Sequence, residues 1–447
     1  MELYLADTLI DGTGEKPKTN VEILVDGGRI KEVVPAGSVP RPSDIEVYSL
    51  PGATVLPGFI DVHTHLMFGA GARSYEDVIN NDSDDLMIIR GSRNAYLHLR
   101  AGVTMLRDCG ARNKVTFAIR EAANAGIILS PRIHISGRPL TITGGHFWWC
   151  NEEADGVEGV RAATRKLLKE GVDFIKIMAS GGGTQGTDST RASYTVEEMA
   201  AATFEAHQVG KKATAHTLAA ESVERAVEAG LDQIEHFNFL HPDGSRIWDQ
   251  VVADKIVQNG MVLSPTIQTG YRQIEKLQTK AAAEDEILTE LEEKQLAAGL
   301  YKLETKLEFI SRFKEMGAPI VAGTDAISVF GDYAVGLELF HRAGLSPMEV
   351  IISATSLAAK AIGVEDELGT VKPGMLADFI YLDGDPLENV QKLNNVETVV
   401  LNGKVVVDKR LDMAVGLPAL ADGDVKMSPI CLLYTSPSPR DGLLSRM

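Results

Sequence analysis

Eight short apolar segments recur through the middle of this 447-residue chain, each followed by a helical pattern or by a loop leading into one. They run from Phe59 to His63, Val103 to Asp108, Arg132 to Ser136, Phe174 to Met178, Lys212 to His216, Gln233 to His236, Met261 to Pro265 and Pro319 to Thr324. Strand and helix in strict alternation give a parallel sheet, and eight such units predict an α/β fold of the (β/α)8 TIM barrel type. Between the strands, Glu197 to Val209 and Ala219 to Ala229 read as alanine-rich helices that stop near Gly210 and Gly230, residues suited to C-terminal caps.

The two ends of the chain have a different texture. Val21 to Ile30 alternates and turns at Gly27-Gly28, and the stretches Ala377 to Leu382 and Thr398 to Val407 behave alike. Because these hairpin signals flank one barrel, the simplest packing joins both ends into a small β-sandwich. The expected boundaries are 1–55 for its N-terminal part, 56–365 for the barrel, 366–412 for its C-terminal part and 413–447 for a tail. Within the tail, Cys431 to Asp441 looks like translated sequencing adapter and is left out of the fold reading. The charged section from Ile274 to Met316 carries an apolar stripe at Leu288, Leu291, Leu296 and Leu300. It reads as a helical excursion over the barrel mouth or against another subunit, with ordinary peripheral helices as the alternative. No repeat of solenoid period is present.

Composition narrows the class of partner. The charge of −18 opposes nonspecific attraction to nucleic acid or anionic membrane, so a small-molecule substrate is expected, with no nucleic-acid or membrane partner and with a homo-oligomer left open. The start, Met1 to Asp7, lacks a basic, apolar leader and no later run is long enough to span a bilayer, which predicts a cytoplasmic protein. Cys109, Cys150 and Cys431 form no C-x-x-C pair, so any metal must be held by nitrogen and oxygen.

Several strand ends carry such donors. His63 and His65 stand two apart, so their imidazoles point the same way from one strand end. The pair alone is a weak signal, since ten histidines in a chain of this length give an H-x-H by chance roughly 0.2 times. Lys176 lies in Phe174-Ile175-Lys176-Ile177-Met178, where alternation puts Phe174, Lys176 and Met178 on one face. Burial there disfavours the charged amine and leaves a neutral one able to take up carbon dioxide as a carbamate; a lysine paired with an unseen carboxylate is the alternative. His216, His236 and Asp325 close the fifth, sixth and eighth segments, and all such ends converge on one barrel mouth. A carboxylate at Asp325 can both ligate a metal and accept a proton from water.

Taken together, Pro57 to His65, Ile175-Lys176-Ile177 with Ala179-Ser180-Gly181-Gly182, Ala215-His216, Ile234-Glu235-His236, Gly323-Thr324-Asp325 and Gly369 to Asp378 resemble the amidohydrolase superfamily over roughly residues 1 to 412. The likeness is to the branch of imidazolonepropionase-like proteins and metal-dependent Xaa-Pro or Xaa-Arg dipeptidases. It implies a hydrolase of amide or peptide bonds in a small substrate such as a dipeptide or N-acyl amino acid. It further implies that His63, His65 and Asp325 hold one divalent metal, that His216 and His236 hold a second, and that carboxylated Lys176 bridges them. A hydroxide between the ions would attack, with Asp325 shuttling its proton. Zinc fits these donors first, with manganese, cobalt or iron as alternatives.

His146, after the third strand behind Gly144-Gly145, is a candidate substrate contact, against a loop histidine packed on Trp148 or Trp149. Arg191 is a candidate partner for a substrate carboxylate, against an exposed salt bridge. Where related dipeptidases often carry a tyrosine after the sixth-strand histidine, this chain reads Phe237-Asn238-Phe239. His98, His134, His207, His241 and His341 read as structural or surface residues. The competing functions are a mononuclear imidazolonepropionase or deaminase, and a noncatalytic relative that keeps the fold for binding.

Overall fold

The computed structural model describes residues 1–41, 45–69, 73–150, 152–283, 286–411 and 413–414. The adapter-like stretch and nearly all of the expected tail lie outside the described residues.

Seven of the eight expected barrel strands form where the pattern puts them: Phe59–Thr64, Val103–Asp108, Arg132–Ile135, Ile175–Met178, Ala213–His216, Gln233–Glu235 and Val262–Ser264. Neighbours pair in parallel, the first three in one sheet and the next four in another. A bond from Asp173 N to Ile135 O joins the third strand to the fourth, at 2.8 Å.

The eighth segment differs from expectation. Residues 319–324 form no regular strand, yet they close the barrel through single bonds: Leu263 N to Pro319 O and Val321 N to Leu263 O on one side, Val62 N to Ala322 O and Asp325 N to His63 O on the other. The reason is a side chain standing in for backbone. Buried Asp61 accepts the Thr324 N–H and hydroxyl at 3.0 and 2.7 Å, and the His63 N–H at 3.0 Å, so the ladder passes through a carboxylate there. Gly323 is required beside it, because a Cβ would stand 2.8 Å from both His63 Cβ and Ser264 Oγ.

Both chain ends build one nine-stranded sheet in which Glu2–Leu9 pairs with Lys18–Asp26 and Ala53–Pro57, and Ala53–Pro57 pairs with Phe379–Asp383. Its core is Tyr4, Ile23, Val25, Val55, Phe379 and Val400, and the Tyr4 hydroxyl donates to Gly403 O at 2.9 Å across the join. The fold is thus a TIM barrel with a β-sandwich domain from both termini. No helix among the described residues is long and apolar enough to cross a membrane.

Two helices, Tyr271–Ala282 and Glu290–Glu315, fill the charged excursion. The longer starts at Thr289, whose side chain accepts from Glu292 N in a capping box, and carries acids in its first turn and Arg312 and Lys314 in its last. Lys280 ties the two helices together through Glu292 at 2.8 Å. The buried stripe lies further along than the leucine pattern suggests. Leu291 is exposed, Leu296 and Leu300 pack at the edge, and Leu303, Leu307, Ile310 and Phe313 enter the core. This pair covers the barrel mouth.

Candidate active site

The mouth encloses a cavity of about 450 Å³, within the ordinary range for small-molecule sites. His63, His65, Lys176, His216, His236 and Asp325 all line it, and so does His146. Strand periodicity explains this: Lys176 and Met178 face the cavity, while Ile175 and Ile177 face the surrounding core.

His63 and His65 present Nε2 atoms 3.4 and 3.5 Å from the same oxygen of Asp325, Oδ1. Donor atoms of these three residues lie within 4.8 Å of one another, so they can hold one metal ion. The backbone turns sharply there, with φ of +51° at Asp325 and +67° at His236, values unusual for non-glycine residues and characteristic of functional sites.

Each imidazole is fixed through its other nitrogen. His63 Nδ1 bonds Glu235 Oε2 at 2.8 Å, His65 Nδ1 bonds Gly110 O at 2.9 Å, and His236 Nδ1 bonds Thr266 Oγ1 at 2.7 Å. His216 is reversed: its Nε2 faces Gly181 O at 3.2 Å, so Nδ1 is the nitrogen that could face a metal. Carbonyl acceptors require N–H donors, so they select the tautomer that offers a lone pair to a metal. The His216 and His236 rings are 4.6 Å apart and those of His63 and His236 5.2 Å apart. Burial pushes His65 down to about 4 and His216 and His236 well below the usual imidazole range, which keeps them neutral.

Lys176 is 1% exposed and its Nζ has no hydrogen-bond partner among the described residues. A buried amine without a partner is expensive, and it fits a group awaiting a carboxylate or a modification that supplies one.

Glu235, part of the motif Ile234-Glu235-His236 but given no role there, is the carboxylate that anchors this cluster. Besides His63 it accepts from Arg107 Nη2 at 2.7 Å, Thr214 Oγ1 at 2.7 Å and Gln233 Nε2 at 2.9 Å. Burial alone would raise its pKa, but His63, Lys176 and Arg107 nearby outweigh that and hold it far below the carboxylate range. A signal was available, since Arg107 and Glu235 are charges in strands expected to be buried on both faces, and each needs an opposite partner.

His146 stacks on Phe147 with centroids 4.3 Å apart, lies 4.6 Å from His216, and its Nδ1 bonds Thr184 Oγ1 at 2.8 Å. A Cβ at Gly182 would come within 2.5 Å of this ring. Phe147 and Tyr75 line the cavity on that side with Trp149 packed behind, so the wall there is aromatic. Arg191 is exposed and does not line the cavity; its backbone N–H donates to Asp188 O within the loop. None of His98, His134, His207, His241 and His341 lines it either. Phe237 and Phe239 turn into the core against Phe313 rather than towards the cavity.

Imidazoles, a carboxylate and a buried lysine at the mouth of a TIM barrel define a hydrolase built on that scaffold. The chain belongs to the amidohydrolase family, whose sequence profile it matches over residues 54–406, and it is a hydrolase acting on carbon–nitrogen bonds. It is similar to an ochratoxinase of Aspergillus niger, 26% identical over 434 residues that cover 89% of this chain and 84% of that protein. An imidazolonepropionase of Shewanella loihica is 26% identical over 439 residues, covering 87% and 93%. Among solved structures, a Xaa-Pro dipeptidase with methionine bound in its active site superposes with a TM-score of 0.78 at 28% identity, covering 90% of this chain and 99% of that one.

Proposed function

We propose that this chain is a binuclear metal amidohydrolase that cleaves the amide or peptide bond of a small substrate such as a dipeptide or N-acyl amino acid. His63, His65 and Asp325 would hold one divalent ion, His216 and His236 a second, and a carboxylated Lys176 would join them. The observation that carries the reading is Lys176 Nζ, buried without a hydrogen-bond partner among the described residues, at the cavity lined by the other five proposed ligands. A bare ammonium there would add to the burden of burial, whereas a carbamate turns the same side chain into an anion with two donor oxygens.

Bound ions would lower the pKa of water and polarise the scissile carbonyl. The protein's own residues do the rest. Asp325, its Oδ1 shared between the two Nε2 atoms, takes the proton of the attacking water and delivers it to the leaving nitrogen. His146, kept neutral by burial that pushes it down to about 3, contacts the substrate carbonyl or carboxylate. The aromatic wall of Phe147 and Tyr75 excludes water and receives an apolar group. Donors of nitrogen and oxygen favour zinc first. The cytoplasm is the compartment this reading assigns.

The test is a substrate-library assay covering dipeptides, N-acyl amino acids, lactones and carbamates, on protein loaded with zinc or manganese and supplied with bicarbonate, alongside a metal count. Two ions per chain and amide turnover support the proposal. A flat panel with metal bound sinks it. The likeness to an imidazolonepropionase favours a second reading, a mononuclear cyclic-amide hydrolase or deaminase. One ion per chain, with Lys176→Ala leaving turnover intact, would select that reading.

A further inference from the structure

The cavity wall formed by the longer covering helix is cationic. Lys302 and Lys306 both line it one helical turn apart, and Arg246, on the loop after the sixth strand, adds its charge to both lysines. Other arginines are matched by carboxylates: Arg138 bonds Glu152 and Glu170, and Arg272 bonds Asp332 and Glu275. Arg246, Lys302 and Lys306 make no ion pair among the described residues, and the buried Nε of Arg246 has no hydrogen-bond partner there.

The three cations are not equivalent. Lys306 spends its ammonium on the carbonyls of His236 and Pro265, at 2.7 and 3.0 Å, and is committed to holding the strand ends. Arg246 lies over the Tyr301 ring at 5.9 Å and is half-buried behind the wall. Lys302 is left facing the cavity. Asp325 is the only carboxylate among the described residues that line the cavity. If Asp325 is engaged by a metal, as proposed above, its charge is spent there and the wall has no anion of its own.

We propose that Lys302, backed by Arg246, is the subsite for a carboxylate on the substrate, so that the enzyme prefers amides bearing a free carboxylate over neutral analogues. This rests on the amidohydrolase reading for its role in turnover, but not for binding. A charge-assisted contact in a part-buried cavity is screened far less than one on the surface, and the ammonium of half-buried Lys302 has less hydration to lose when the anion arrives than an exposed one.

Calorimetric binding of phenylacetate and its neutral isostere phenylacetamide tests the assignment, on zinc-loaded and on metal-free protein. In the zinc-loaded wild type the carboxylate should bind at least tenfold tighter than the amide. Lys302→Met should bring the two within about twofold, and Lys302→Arg should restore most of the preference. Thermal unfolding of each variant checks that the fold persists. Absence of preference in the wild type, or a preference that survives Lys302→Met, overturns the assignment. Intact preference without turnover of dipeptides or N-acyl amino acids would instead condemn the substrate reading proposed above and leave this one standing.

Discussion

Glu235 Oε2 lies 2.8 Å from Nδ1 of His63, and through this contact a carboxylate inside the barrel sets which nitrogen of His63 faces Asp325. The other oxygen of Glu235 is bonded by Arg107, whose own Nε donates to Val62 O at 2.6 Å, so one buried network grips His63 by its side chain and by the carbonyl before it. Replacing Glu235 with Ala removes the anion and strands Arg107. Loss of a buried partner costs about 3–5 kcal/mol, and outer contacts of this kind are worth roughly 10–100-fold in metal affinity or activity. Chemical denaturation and a competitive metal titration on the same preparation check both.

Lys176 offers a direct readout. With 13C-labelled bicarbonate, the metal-loaded protein should show a carbamate carbon resonance that is absent from Lys176→Ala, and the variant should retain one ion in place of two. A variant that still holds two ions, with no labelled carbon in the wild type, would remove the bridging role.

Gly323→Ala probes how closely the first and eighth segments approach. The added Cβ meets His63 Cβ at 2.8 Å and cannot be absorbed by a flexible side-chain end. The expected cost is about 1–3 kcal/mol of stability from overpacking, with activity falling further than stability because the proposed metal ligand His63 moves. A fully active Gly323→Ala enzyme would contradict the packing described here.

Acid should destabilise the metal-free protein. Burial holds His65 and His98 at about 4 and His146 at about 3, and keeps His216 and His236 lower than the usual imidazole range. These folded values lie below the unfolded one near 6.5, so the unfolded chain binds more protons as pH falls, and the stability present above 6.5 is lost towards 4. Buried Asp61 and Asp108, pushed up to about 7, act in the opposite sense, but they are two groups against five. Thermal unfolding of metal-free protein between pH 7.5 and 4.5 should show a midpoint that drops on acidification; a flat or rising midpoint refutes the assignment of neutral buried histidines.

The barrel and the residues gathered at its mouth were legible because two simple periodicities carry them. Alternation along Phe59–Thr64 and Ile175–Met178 decides which side chains face inward, and parallel closure brings every strand end to one mouth, so His63, His65, Lys176, His216, His236 and Asp325 could be named before any contact was known. Arg191 shows where that logic stops. It sits on a loop, whose direction is set by turn geometry and not by a repeating pattern, and it projects into solvent.

What the sequence by itself determined is the order of strands and helices, the residues at the strand ends, and the class of chemistry those donors can perform. Tertiary structure alone decided the pairing of Glu235 with His63 and Arg107, the replacement of regular eighth-strand pairing by Asp61, and the placement of Lys302 in one cavity with histidines that are distant in the chain. The physical reason is range. Periodicity is a local property of the backbone and can be read from neighbouring residues, whereas a buried charge finds its partner only when segments more than a hundred residues apart are packed together and water is gone.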